Sequence, residues 1–214
     1  MLRPSLLAVP AVLFLSFSAL ALLPSAAPAA QAQEPQVAEV GKPAPDFTLT
    51  DLNGKPFKLS EHKEKIVVLE WFNPGCPFVV RSHEKDSLKG LAGELAKEGV
   101  VWVAINSGAP GKQGTGKELN AKAAEKWGMA YPILLDEEGV VGRKYGAKTT
   151  PHMYVIDAKG VLAYAGGIDN DPAGELGPDK RENYVREAVA ALKKGERVKT
   201  ATSKPYGCSV KYSK

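Results

Sequence analysis

Four short runs limit the folds open to this chain. KIVVLEWF (65–72), VVWVAIN (100–106), PILLD (132–136) and HMYVID (152–157) are rich in β-branched and aromatic residues, and the first is apolar almost without a break. An apolar run that does not alternate reads as a strand covered on both faces, which belongs to a parallel or mixed sheet between layers of helix. The intervening stretches supply those helices. Val80, Leu88, Leu91 and Leu95 fall on one face of a helix expected from Pro77 to Gly99. ELNAKAAEKWG (118–128) reads as a second helix and VVGRKYG (140–146) as a short helical turn; residues 181–194 form an amphipathic helix with Tyr184, Val185, Ala188, Val189 and Leu192 on one side. VLAYAGG follows HMYVID as a strand through a turn at Ala158–Gly160. Near the front, FTLTDLNGKPFKL carries two alternating segments about Asn53 and Gly54, the pair that favours a type I′ hairpin. The order implies an α/β fold with a mixed central sheet flanked by helices.

The ends of the chain differ from its middle. Arg3, an apolar run from Leu6 to Leu23 and the small-residue stretch PSAAPAAQAQ form the pattern of a secretory signal, with cleavage expected after Ala32. Residues 1–32 are therefore expected to be a signal peptide, and the mature protein to be extracytoplasmic, periplasmic or secreted. The alternative is an uncleaved anchor, although Pro10, Ser16 and Ser18 interrupt the run. No stable membrane insertion is expected after cleavage. Residues 33–45, rich in Pro, Ala and Gln, read as a flexible N-terminal arm, 46–197 as the folded domain, and 198–214 as a tail without helical period. A balance of 28 basic against 24 acidic residues, net +4, is too mild to suggest nucleic acid or an anionic membrane as partner.

The tail carries one of only two cysteines, Cys76 and Cys208. Outside the cytoplasm such a pair serves as a structural staple or as a redox couple, and spacing leaves both open. Cys76 is placed to cap a helix whose first position is Pro77, a residue that loses nothing there by lacking an N–H. The free amides and positive dipole end of that helix favour a thiolate, so the pKa of Cys76 is expected below the usual value of roughly 8.5, with Pro74 and Gly75 leaving the sulfur accessible. The competing reading is a buried, inert thiol. Other motifs carry less. GKQGTGKE (111–118) has Glu118 where a phosphate loop needs Ser or Thr, and DNDPAG (169–174) has Ala173, and later Lys180, where a calcium loop needs its fifth and twelfth ligands. His62, His83 and His152 have no ligand spacing, so neither a metal nor a cofactor is expected.

Strand KIVVLEWF, loop NPG, Cys76 at a helix mouth, and KTTPHMYVID with Thr150 before Pro151 together resemble the thioredoxin fold. GKPAPDFTLTDLNGKPFKLSEH followed by WFNPGCPFV resembles its redoxin branch, the alkyl hydroperoxide reductase and thiol-specific antioxidant family with its peroxiredoxin-like relatives. PYGCSVKY is similar to the ending of an exported peroxiredoxin-like subgroup. The resemblance runs from about Gly41 to Tyr212. It implies a thioredoxin-like redoxin domain over 46–197 in which Cys76 is the attacking thiolate and Pro151 is cis, laying the backbone of Thr150 beside the sulfur to bind an extended substrate. It also implies that Glu70 is a buried acid able to carry a proton to a leaving thiolate. Two departures narrow the reaction. Val79 stands where a dithiol thioredoxin has its second cysteine, so Cys76 needs another partner. Leu69 and Asn73 occupy the proline and hydroxyl positions of the peroxiredoxin pattern P-x-x-x-[TS]-x-x-C, and an amide lacks the hydroxyl that donates and accepts at once. Disulfide exchange therefore ranks ahead of hydroperoxide reduction. Cys208, in a tail free to swing, either resolves a mixed disulfide or sulfenic acid or locks Cys76 in a permanent staple. The implied partners are a protein thiol or disulfide, or a small hydroperoxide, together with an external thiol reductant. A non-catalytic binding module is the remaining reading.

Overall fold

The computed structural model describes residues 37–214. The leader and cleavage site expected over 1–32 lie outside the described residues, as does the start of the arm. Along the chain come β1 (Thr48–Asp51), β2 (Pro56–Lys58), β3 (Val67–Trp71), α1 (Pro77–Glu84), α2 (Leu91–Lys97), β4 (Val101–Asn106) and α3 (Lys117–Lys126). Then follow β5 (Ile133–Leu135), α4 (Val140–Lys144), β6 (Thr149–Thr150), β7 (His152–Ile156), β8 (Leu162–Gly166), α5 (Tyr184–Lys193) and β9 (Cys208–Ser209). Seven strands form one mixed sheet in the order β2-β1-β5-β4-β3-β7-β8, and β6 pairs with β9 in a separate ladder. β3 is buried at all five positions, as its unalternating sequence requires, and lies parallel to β4 and antiparallel to β7.

The pleat of β3 divides the interior. Val67, Leu69 and Trp71 face one layer with Tyr145, Tyr154 and Val141 of α4, while Val68 and Phe72 face the opposite layer, packed by α2, α3 and α5. Cys76 and Val79 belong to that second layer. Among the described residues, no helix is long and apolar enough to cross a membrane.

Three local expectations differ from the structure. At the β1–β2 turn only Gly54 takes a positive φ, +83°, whereas a type I′ turn needs two such residues. The Asp51 carboxylate builds the turn instead, accepting the amides of Asn53 and Lys55 at 2.8 Å each. The long helix expected from Pro77 is two helices, broken before Gly90, whose φ of +74° is left-handed. The break is held from outside, since Asn183 donates to the Ser87 carbonyl at 2.8 Å and Ser87 to the Asp169 carboxylate. The described part of the N-terminal arm is bonded into the fold. The amides of Ala38, Gly41 and Ala44 donate to Lys144, Leu162 and Gly160, each within 2.9 Å, satisfying backbone that a free arm would leave to water.

Candidate functional site

Cys76 is the N-cap of α1, with φ −87° and ψ 122°, and Pro77 fills the first helical position. β3 delivers the chain to this point and Phe72, at its exit, packs against the same layer as the sulfur. Between them, residues 73–75 turn tightly. The Cys76 amide bonds the Asn73 carbonyl at 3.0 Å and the Gly75 amide bonds the Asn73 side-chain oxygen at 2.8 Å. The Thr150–Pro151 peptide is cis, and the Thr150 carbonyl accepts the Cys76 thiol at 2.9 Å. The Thr150 hydroxyl, also buried, finds no hydrogen-bond partner among the described residues.

The tail completes the ring of groups around the sulfur. Residues 201–203 run along the edge of β8, with the Ala165 amide bonding Ala201 and the Ser203 amide bonding Ala165. Tyr206 donates to Asp169 at 2.5 Å. The chain then crosses the site as β9, in which Cys208 pairs antiparallel with Thr150 and Ser209 with Thr149. Only glycine fits just before it. Gly207 has φ +129°, and a Cβ there would lie 2.2 Å from the Thr150 carbonyl oxygen. Beyond β9 the Val210 amide bonds Lys148, the Ala109 amide bonds Lys211, and the Tyr212 hydroxyl donates to Ala147 at 2.9 Å. Cys76 is consequently 0 % exposed, in contrast to the accessible sulfur expected from its loop. The tail is seated on the site rather than loose over it, with β9 and its flanks hydrogen-bonded across the sulfur.

Both cysteines are free thiols, and Cys208 packs against the cluster that holds Cys76. Their ionisation is divided. Burial alone pushes the Cys76 thiol up, but the donors around it, the Cys208 thiol and the amides of Val79 and Cys208, bring its pKa below the ordinary 9.0. For Cys208, burial, the hydrogen bond to Cys76 and the charge on Cys76 act together, and its pKa is pushed up to about 11. One sulfur is thus shifted toward the thiolate while its neighbour keeps a proton.

Asn73 does not face an incoming ligand. Its amide nitrogen donates to the Gln113 carbonyl at 3.0 Å while its oxygen holds Gly75, and Gln113 answers with a 2.7 Å bond to the Gly75 carbonyl. The side chain clips the Cys76 loop to the 113–114 loop, which rims the site. Gly114 makes the clip possible, since a Cβ on it would lie 1.8 Å from the Asn73 side-chain oxygen.

Glu70 is fully buried on β3 and pairs with His83 of α1 at 2.7 Å, while the Trp102 indole donates to its other oxygen at 3.1 Å. His83 lies flat against Trp127, with ring centroids 4.9 Å apart, and edge-on to Phe72. Burial and the Glu70 carboxylate hold the Tyr131 hydroxyl above its usual range. The pair fixes α1 to the sheet behind Cys76. His83 was not among the residues expected at the site, yet Cys76, Val79, Val80 and His83 follow the i, i+3, i+4, i+7 spacing of one helix face.

His152, next to Pro151, is buried, and burial with nearby Lys148 lowers its pKa from 6.5 to about 4. It folds as the neutral ring, accepting the Lys148 amide on Nδ1 at 3.3 Å. The unfolded chain protonates first as pH falls, so stability linked to His152 is present above pH 6.5 and lost toward pH 4. The loss across that window is about 3 kcal/mol. Denaturation midpoints at pH 7 and pH 4.5 should therefore differ less in His152→Asn than in the wild type; equal differences would rule out this origin.

Comparison with known proteins agrees with this geometry. The AhpC/TSA family pattern matches residues 40–165. The thiol-disulfide oxidoreductase ResA of Geobacillus thermodenitrificans is 34% identical over 122 residues, 56% of this chain and 65% of that protein. The chain therefore spans slightly less than two thirds of that relative. The thiol:disulfide interchange protein DsbE of Haemophilus influenzae is 31% identical over 176 residues, 76% of this chain and 87% of that one. Among solved structures, a hypothetical protein from Sinorhizobium meliloti superposes with a TM-score of 0.70 at 30% identity, covering 83% of this chain and 97% of that chain. An uncharacterized conserved protein from Geobacillus kaustophilus gives 0.69 at 31% identity, covering 82% and 93%. With a family match through more than half its length, the order of its sheet and a capping cysteine beside a cis-proline, this chain belongs to the AhpC/TSA family and has a thioredoxin-like fold.

Proposed function

We propose that the protein is an exported thiol-disulfide oxidoreductase that uses Cys76 and Cys208 as attacking and resolving thiols. The observation that carries this reading is the pair itself: Cys76 at a helix N-terminus beside the cis Thr150–Pro151 peptide, with Cys208 placed opposite Thr150 and packed against the same cluster. In the first step the Cys76 thiolate attacks a substrate disulfide, forming a mixed disulfide and expelling the other substrate sulfur as a thiolate, which takes up a proton. Loss of the charge on Cys76 removes part of what held the proton on Cys208, the rest being burial. Cys208 then ionises and attacks the Cys76 sulfur, releasing the second substrate thiol and leaving a Cys76–Cys208 disulfide. The substrate has gained two electrons, and an external dithiol restores the enzyme by giving up two. Export rests on the leader pattern at 1–32, and a disulfide as substrate on the thiol-disulfide exchange for which the relatives are named.

Hydroperoxide reduction fits less well, because both polar atoms of the Asn73 side chain are engaged, the oxygen by Gly75 and the nitrogen by the Gln113 carbonyl. The test is turnover of a protein disulfide with a dithiol donor. Cys76→Ser should lower it by at least about a thousand-fold while circular dichroism stays native. Unchanged turnover would leave the non-catalytic binding module as the reading. A second expectation concerns pH. The alkylation rate of Cys76 should reach half its maximum below pH 9.0, the ordinary thiol value, and a midpoint at or above it would remove the acidic nucleophile.

A further inference from the structure

We infer that residues 207–212 form a strap that occupies the substrate's own binding edge, lifting to admit an extended peptide and expelling it on return. This inference rests on the exchange activity proposed above. The edge is the backbone of Thr149 and Thr150 next to Cys76, and β9 pairs with it antiparallel, placing a cysteine directly opposite Thr150. An extended peptide whose disulfide is to reach Cys76 needs that same position, because the Cys76 sulfur already touches the Thr150 carbonyl and has no exposed surface. Substrate and strap therefore exclude each other. A small disulfide faces the same cover.

The strap is built to move. Every residue from Ala201 to Lys214 is partly or fully exposed, so lifting residues 207–212 withdraws no fully buried side chain, only the edge contacts of Cys208 and Val210 with the core. Its ladder with the edge is only two residues long. The two ends are held differently. Ser203 is tied to Tyr164 at 2.7 Å and to the Gly167 amide at 2.9 Å, and Tyr206 is tied to Asp169, so the near end stays on the body. The far end rests on Tyr212, whose hydroxyl bonds Ala147, whose ring lies under Arg143 at 4.7 Å, and which packs where Gly139 and Gly142 leave room. Gly207 lies between these anchors and is the natural hinge.

The exchange chemistry then gains a direction. Once a substrate is linked to Cys76, the strap returns to bring Cys208 onto the Cys76 sulfur, and β9 re-forms on the edge the peptide held. Resolution and release become one event: the new Cys76–Cys208 bond replaces the substrate bond as the new ladder replaces the peptide.

Loosening the far end tests this without touching either cysteine. Tyr212→Ala and a chain lacking Tyr212–Lys214 should each raise the plateau of the Cys76 alkylation rate by iodoacetamide, taken at a pH where the thiol is fully ionised, by roughly tenfold. With a disulfide-linked peptide pair as substrate, mixed-disulfide formation should speed up by a similar factor while its resolution by Cys208 slows. An unchanged alkylation plateau in both variants overturns the strap as a cover, whatever the peptide does. Formation and resolution changing in the same direction overturns the coupling to release. A raised plateau with no reaction toward the peptide in any variant, wild type included, overturns the exchange activity instead.

Discussion

Cys208→Ser is expected to leave a long-lived mixed disulfide between Cys76 and its substrate, and to cut turnover by about a thousand-fold at micromolar donor. The size follows from tethering. A thiol on the same chain acts at an effective concentration of about millimolar or more, whereas an external thiol must arrive by diffusion. The Cys208 thiol is also the strongest of the donors that offset burial at the Cys76 thiolate, so its loss should move the Cys76 pKa upward. Serine retains a hydroxyl donor, which makes this shift smaller than for alanine. The signature is therefore a trapped species on non-reducing electrophoresis, formed by Cys208→Ser and absent from the double variant that also lacks Cys76. Full turnover in Cys208→Ser without a trapped species would mean that an outside thiol resolves Cys76.

Gly114→Ala should be strongly destabilising. The position has φ +74°, a conformation that costs an alanine about 1–2 kcal/mol, and the new methyl would lie 1.8 Å from the Asn73 side-chain oxygen. Relieving that overlap means moving Asn73, the residue that positions both the Gly75 and Cys76 amides. Strain and overpacking together come to about 3 kcal/mol, or about 10 °C in Tm for a chain of this size. Gly111→Ala supplies the comparison. Its φ is +78°, but a Cβ there meets nothing within 4 Å, so only the conformational cost remains, about 1–2 kcal/mol. Equal melting shifts in the two variants would show that the Asn73 clip does not matter; a larger shift for Gly114→Ala, with slower Cys76 alkylation, is expected.

The sheet was readable because burial on both faces leaves its mark residue by residue. KIVVLEWF, VVWVAIN and HMYVID became β3, β4 and β7 with boundaries moved by a residue or two. Cys76 at its helix mouth was readable for a similar reason, since Pro77 marks the first turn. What sequence concealed depends on contacts distant along the chain. The break between α1 and α2 is stabilised by Asn183, nearly a hundred residues away, while the local apolar spacing continues through it. Asn73 reads as a ligand-facing amide until Gln113 is seen to take its N–H. The tail gave no periodic signal because it lies on the surface as irregular chain, strand only at Cys208–Ser209, where a two-residue ladder joins it to β6. Gly207 beside Cys208 was the one local hint, and its meaning depends on the Thr150 carbonyl that it passes.

The most direct measurement is a rapid-quench time course of the reduced protein with one equivalent of a peptide disulfide, with both cysteines mapped by alkylation and mass spectrometry. Peptide should appear first on Cys76, Cys208 should stay alkylatable during that phase, and the adduct should then decay into a Cys76–Cys208 disulfide with release of free peptide thiol. Peptide appearing first on Cys208, or full reduction of the peptide with no adduct on Cys76, would contradict this order of events.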